Sequence, residues 1–229
     1  MKTTIRYLGS LGIDMKRIVL LCLALSFLLC GCGRLRQLEK TEDGYADEKK
    51  GIYYEILEPA YQPAFRGEAV AEYVNKERDV VRVFYEIPGL DTALFVADEY
   101  LNVYFAGEDA PNAALWQLEA VLVCEEEAIS VERCRLSVDT DATEIAAVKA
   151  LWFGEGENAV LPVGTPAHTF QIKLSGKEYP MLYYNFDLRI YESGQVYFYD
   201  AFSRRTVLVP VELAEKLCPK GSLTKGDSQ

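Results

Sequence analysis

The sequence predicts an α+β fold with a largely antiparallel sheet and two or three short helices. Three observations support this: short β-branched and aromatic runs recur from residue 52 onward, a strong hairpin signal follows residue 190, and helix signals are few. Of the 229 residues, 50% are hydrophobic and 26% are charged, which excludes a disordered chain. A chain of this length can bury a proper core, and we expect one α+β domain at residues 51–218.

The first half of this domain is predicted to contain one helix and several strands. Residues 68–76 follow Gly67 and place Val70, Tyr73 and Val74 on one helical face, which predicts a helix. Strands are predicted at residues 80–87, 93–97 and 101–105. The last two are close enough in sequence to form a hairpin.

The clearest helix is predicted at residues 142–153. Asp141 and Glu144 have the spacing of a capping box, and Gly154 is expected to end the helix. The apolar stripe of this helix consists of Ile145, Val148, Leu151 and Trp152.

A strand at residues 168–174 and a β-meander at residues 180–209 are predicted next. Residues 191–195 fit a hairpin loop with Gly194 in the left-handed conformation, which places Ile190 opposite Val196 and Leu188 opposite Phe198. Pro210 and Pro219 bracket a closing helix. Residues 219–229 are predicted to be a polar tail.

The N-terminal region has the organisation of a signal peptide. Residues 15–17 carry two positive charges, and residues 18–29 form an uninterrupted apolar run of 12 residues. A membrane-spanning helix needs about 20 apolar residues and a signal-peptide core about 7 to 15, so this run fits a signal peptide. We predict a signal peptide at residues 1–31. Residues 1–14 resemble no part of a signal, which leaves Met1 and Met15 as alternative starts of translation.

Leu29-Cys30-Gly31-Cys32 resembles the lipobox of bacterial lipoproteins. The resemblance implies that Cys32 becomes the first mature residue and carries lipid, with Cys30 as the alternative acceptor. It implies a protein held on the extracytoplasmic side of the cell membrane by lipid, and it says nothing about the domain that follows. The alternative is a cytosolic protein with an apolar N-terminal helix.

Residues 32–50 are predicted to be a flexible tether between the lipid and the domain. Residues 33–50 hold five acids and five bases with few apolar residues. A flexible coil of this length spans roughly 20 to 25 Å.

The charge of the mature chain disfavours nucleic acid as a partner. Without residues 1–31, the chain carries 20 basic and 34 acidic residues. Phosphate backbones and anionic lipid headgroups repel such a protein, and no basic patch compensates. Membrane contact is therefore expected to come from the lipid alone.

Three cysteines remain if Cys32 is lipidated: Cys124, Cys134 and Cys218. A hairpin between the segments around Cys124 and Cys134 places both cysteines on one face, so a disulfide is geometrically sensible. The alternative is two buried, reduced cysteines that behave as small hydrophobic residues.

The sequence contains no recognisable catalytic, cofactor or metal-binding motif. His168 is its one histidine, in a context that matches no catalytic pattern. One histidine and three widely spaced cysteines cannot easily supply four zinc ligands, so no metal or cofactor is predicted. A cell-wall or peptide hydrolase is an alternative that needs either His168 or two carboxylates in a cleft.

The meander register gives one sheet face a mixture of aromatic rings and polar groups. Such a mixture suits sugars or peptide backbones and is enriched at binding hot spots. The predicted binding face consists of Tyr183, Asn185, Asp187, Arg189, Tyr191, Tyr197 and Tyr199. The alternative is that these tyrosines only cover the sheet.

The function predicted from these observations is a lipid-anchored binding or interaction module of the cell envelope. Its partner would be an envelope protein, a peptide or a glycan. Besides the hydrolase, an envelope regulator or sensor is the other alternative, and it would require a specific protein partner.

Overall fold

The computed structural model describes residues 35–125, 135–156 and 158–223. The predicted signal peptide, Cys30, Cys32, Cys134 and the last six residues of the predicted tail lie outside these ranges. Within the described residues, the fold is dominated by antiparallel sheet with two α-helices, which confirms the predicted α+β class. No helix among these residues is long and apolar enough to cross a membrane.

Short strands make up the described part of the chain up to residue 105. They are β1 (Arg36–Gln37), β2 (Glu39–Lys40), β3 (Gly44–Asp47), β4 (Ile52–Ile56), β5 (Tyr61–Pro63), β6 (Ala69–Asn75), β7 (Val80–Tyr85), β8 (Phe95–Asp98) and β9 (Val103–Phe105). All except β5 belong to one sheet, in the order β1-β6-β7-β8-β9-β4-β3-β2. β8 and β9 form the predicted hairpin.

This first sheet closes on itself. β1 pairs in parallel with β6, and β2 pairs antiparallel with β3, at opposite ends of the strand order. Only Leu38 separates β1 from β2, so one segment joins both edges and the sheet forms a small barrel. The barrel core consists of Leu38, Tyr45, Tyr54, Ala71, Phe84, Val96 and Tyr104.

The second sheet follows a 3₁₀ turn at Ala113–Leu115. Its elements, in chain order, are β10 (Leu118–Glu125), β11 (Arg135–Asp139), α1 (Ala142–Phe153), β12 (His168–Gly176), β13 (Leu182–Ile190), β14 (Val196–Tyr199), β15 (Thr206–Leu208) and α2 (Val211–Leu217). The strands are antiparallel in the order β11-β10-β12-β13-β14-β15, and β5 pairs with the start of β13.

Both helices pack on one face of the second sheet. Ile145, Val148 and Trp152 of α1 share a core with β10, β12, β13 and β14, and α2 adds Leu213 and Leu217. The Trp152 ring stacks on Phe186 at a centroid distance of 4.2 Å. Among residues 35–125, 135–156 and 158–223, no helix therefore lies on the opposite face of the sheet.

Local signals predicted α1 and the meander correctly. α1 has the predicted bounds, and the Asp141 carboxylate accepts hydrogen bonds from the backbone N–H groups of Thr143 and Glu144. The meander has the predicted register, with Ile190 opposite Val196, and Gly194 has a φ of 79°.

The predicted tether at residues 32–50 is wrong for its described part. β1, β2 and β3 lie within it, and Leu38 and Tyr45 are only 3% and 4% exposed in the barrel core. Its charges led to the wrong prediction, although Arg36 and Asp47 in fact pair with each other at 3.4 Å. The domain therefore begins at Arg36, before the predicted residue 51.

Two further predictions are corrected by packing. Residues 68–76 were predicted to be helical but contain β6, because Ala71 is fully buried in the barrel and the strand pairs with β7 along its length. The polar tail does not begin at residue 219: Ser222 is buried and Leu223 packs against the helix-side core.

Candidate functional site

The candidate site is the face of the second sheet opposite the helices, here called the polar face. Strand alternation places six of the seven predicted residues on it, since Asp187 lies opposite Tyr199 and Arg189 lies opposite Tyr197. The seventh, Tyr191, follows the end of β13 and packs against Tyr197. β12 adds Lys173, which lies opposite Asn185. The polar face is therefore built by β12, β13 and β14, with β5 along one end of β13.

Asn185 is the most unusual residue of the polar face. Asn185 is 7% exposed, yet within the described residues neither its amide nitrogen nor its amide oxygen has a hydrogen-bond partner. Its backbone N–H is satisfied, because it donates to the carbonyl of Ala60 at 2.7 Å. A buried amide without partners costs roughly 1 to 3 kcal/mol, so the side chain is held there at a cost.

A buried cation lies next to this amide. Lys173 is 3% exposed, and its Nζ donates a hydrogen bond to Oε1 of Gln62 at 3.1 Å. Gln62 comes from β5, opposite Tyr183 in the register. A chain segment far away in sequence thus helps to fix the charge beside Asn185.

An ion pair and a stacked ring form the next part of the polar face. Nε and Nη2 of Arg189 both donate to Oδ2 of Asp187, at 3.2 and 2.9 Å. The guanidinium lies 3.6 Å from the centroid of the Tyr199 ring. Burial raises the pKa of Asp187, and the pairing with Arg189 opposes that rise.

The tyrosines of the polar face differ in their accessibility. Tyr191 and Tyr197 are 5% and 4% exposed and pack edge to face at 5.6 Å, so their rings do not form an open platform. Tyr183 is half-buried and packs against Leu122 and Cys124 of β10. The strand pattern could predict which face these residues share, but it could not predict how deeply each is buried.

Sequence reasoning missed Lys173 and Gln62. Lys173 carries a usable signal, because Thr169, Gln171 and Lys173 alternate with apolar residues along β12. Gln62 carries none, since its position depends on pairing between β5 and β13, which are far apart in sequence.

The structure also bears on the predicted Cys124–Cys134 disulfide and on His168. The predicted hairpin forms between β10 and β11, but its register differs from the one that the disulfide hypothesis assumes. Leu122 lies opposite Val138, and after a register shift Cys124 lies opposite Arg135 and is fully buried. Because Cys134 lies outside the described residues, the bridge stays a prediction. His168 is exposed at the start of β12, and its ring lies 6.1 Å from that of Phe170.

The polar face brings several kinds of polar group together. It combines an amide that can both donate and accept, a buried ammonium and a guanidinium–carboxylate pair. The described residues contain no group of three or more His, Cys, Asp or Glu side chains that could hold a metal ion. Comparisons with protein-family models, with curated proteins and with solved structures each found no match.

Proposed function

We propose that this protein is a lipid-anchored, extracytoplasmic binding module of the cell envelope, and that its polar face binds a peptide segment of an envelope partner. The observation that carries the proposal is the buried amide of Asn185, for which the described residues supply no hydrogen-bond partner. A peptide group presents one donor and one acceptor side by side, which matches the two unpaired ends of a carboxamide.

The neighbours of Asn185 support the same class of partner. Arg189 supplies donors for carbonyl or carboxylate oxygens, and Asp187 supplies an acceptor for N–H groups. Tyr199 offers a ring that the Arg189 guanidinium already covers on one side. Binding would give the Asn185 amide the hydrogen bonds that it lacks in the free protein, and so recover its burial cost.

The proposed anchor places this module close to the membrane. β1 begins at Arg36, four residues after the proposed lipid-bearing Cys32. Four extended residues reach at most about 14 Å, so the barrel would lie against the bilayer surface. The partner would then be a membrane protein or a segment near the membrane.

The decisive variant for the polar face is Asn185→Leu, which keeps a similar shape and removes both polar atoms. We expect recovery of crosslinked peptide or protein from native membranes to fall about tenfold, as for loss of two hydrogen bonds in a desolvated site. Unfolding in urea should show equal or greater stability, because a buried unsatisfied amide has been removed.

The matched control is Gln117→Leu, the same kind of change at an exposed position before β10. It should leave recovery unchanged. If Asn185→Leu raises stability but leaves recovery at the wild-type level, the polar face is only a covered surface. Recovery of a glycan in place of a peptide would also contradict the proposal.

The anchor is tested separately by the intact mass of protein extracted from native membranes. We expect a chain that begins at Cys32 and carries diacylglyceryl mass, lost on Cys32→Ser and retained on Cys30→Ser. A full-length, unlipidated chain would contradict both the proposed lipid anchor and the proposed extracytoplasmic location.

A further inference from the structure

A pocket that is separate from the polar face opens at one end of the barrel. Its volume is about 460 Å³, within the range of small-molecule sites, which often lie in the mouths of β-barrels. Tyr45, Arg82 and Tyr104 line its inner part. Tyr45 and Tyr104 also belong to the barrel core, so this part of the pocket rests on rigid strands.

The inner part of the pocket is a fixed hydrogen-bond network. Nη1 of Arg82 donates to the hydroxyl oxygens of Tyr45 and Tyr104 at 3.1 and 3.4 Å. The Tyr104 hydroxyl donates to Asp98 at 3.1 Å, and Asp98 is fully buried. Asp98 lies 3.8 Å from Arg82, so the carboxylate and the guanidinium balance each other's charge.

One donor of this network, the Tyr45 hydroxyl, has no acceptor among the described residues. The Tyr45 hydroxyl accepts from Arg82, but within the part of the chain that the structure describes its own proton has no acceptor. Tyr45 is 4% exposed, and burial raises its pKa, so the proton stays on the oxygen at neutral pH. Together with the N–H groups at Nε and Nη2 of Arg82, which donate no hydrogen bond within the described residues, this proton suits a ligand carboxylate.

The outer part of the pocket has the opposite charge. Glu42, Asp43 and Glu55 line it against a single lysine, Lys40. Ile56, which is 51% exposed, gives the pocket wall an aliphatic surface. A ligand that fits carries a carboxylate at one end, an aliphatic stem, and an ammonium group at the other end.

We propose that the barrel pocket binds a free amino acid with a cationic side chain. Its carboxylate lies on Tyr45 and Arg82, its stem lies along Ile56, and its side-chain ammonium lies among Glu42, Asp43 and Glu55.

Isothermal titration of the full chain with three matched ligands tests this arrangement. L-Lysine has both charged ends, L-norleucine lacks the side-chain ammonium, and cadaverine lacks the carboxylate. We expect lysine to bind at least about tenfold more tightly than either analogue, since each lost charge-assisted hydrogen bond costs that much or more. No saturable heat with lysine, or equal affinity for an analogue, overturns the proposal.

A pair of tyrosine variants locates the site. Tyr45→Phe removes the unpaired donor and keeps the ring, and we expect lysine affinity to fall about tenfold. Tyr53→Phe is the matched control, because Tyr53 is 64% exposed on the same barrel and does not line the pocket, so affinity should not change. Unchanged affinity in folded Tyr45→Phe contradicts the assignment. Should Tyr45→Phe fail to fold, the ligand series on the unaltered chain still decides.

Discussion

Two opposing effects act on the pKa of Asp187, a carboxylate of the polar face. Burial disfavours its charged form, while Arg189 at 2.9 Å favours it, and the net result is a raised pKa. The folded protein therefore binds this proton more tightly than the unfolded chain does. By linkage, ionisation of Asp187 must then cost folding free energy.

Asp187→Asn makes this cost measurable as a pH dependence. The stability of the wild type relative to the variant should be greatest below the unfolded pKa of about 3.9. It should fall as the pH rises from there through the raised pKa, and then remain constant. Urea unfolding of both proteins across this range gives the difference.

Asp141→Asn serves as the control of opposite sign. Hydrogen bonds from the backbone N–H groups of Glu144 and Thr143 lower the pKa of Asp141 at the start of α1. The wild type should therefore gain stability over this variant as the pH rises through the acidic range, and lose it as the pH falls through the lowered pKa. If both differences had the same sign, the pairing of Asp187 with Arg189 would outweigh its burial.

At the scale of elements, the helices and strands with local sequence signals could be predicted from the sequence. α1 carries its own cap and stripe, and the β13–β14 hairpin carries its own turn glycine, so both were predicted with the correct bounds or register. β6 and the strands β1 to β3 were missed. β2, β3 and β6 each pair with a neighbouring strand in the chain, but the β1–β6 pairing that closes the barrel joins segments that are distant in sequence. Their short, charged or mixed segments become strands only when the barrel closes.

The candidate site shows the same division. Period-2 alternation was enough to place Tyr183, Asn185 and Asp187 on one face. Burial of Tyr191 and Tyr197, and the approach of Gln62 to Lys173, depend on tertiary packing that no local pattern encodes.

Gly194 gives the hairpin a testable requirement. Its φ of 79° lies in the left-handed region, where a Cβ atom costs roughly 1 to 2 kcal/mol. We expect Gly194→Ala to lower the free energy of unfolding by about 1 kcal/mol or more, measured in urea. Gly156→Ala is the control, because a Cβ at Gly156 would have no neighbouring atom within 4 Å and the change should stay within about 0.5 kcal/mol. Equal effects at both positions would show that the left-handed conformation of Gly194 does not cause the loss of stability.

At the scale of the whole molecule, the barrel and the second sheet share one buried cluster. Tyr61 of β5, Trp116 and Leu182 of β13 pack with Phe95 and Phe105 of the barrel. The described residues from Arg36 onward accordingly belong to one compact unit. Damage to the barrel should therefore also destabilise the second sheet and its helices. Both tryptophans of the chain lie outside the barrel strands, Trp116 just after the 3₁₀ turn and Trp152 in α1.

Leu38→Ala tests barrel closure and this coupling together. Leu38 is 3% exposed at the junction of β1 and β2, so truncation should cost about 2 to 5 kcal/mol, as for other buried leucines. Leu115→Ala removes the same atoms from a residue that is 79% exposed, and its effect should stay within about 0.5 kcal/mol. A flexible tether would make both variants neutral. Because Trp152 of α1 lies in the core between the helices and the second sheet, a lower urea midpoint in tryptophan fluorescence for Leu38→Ala alone would show that the closing strand stabilises the whole unit.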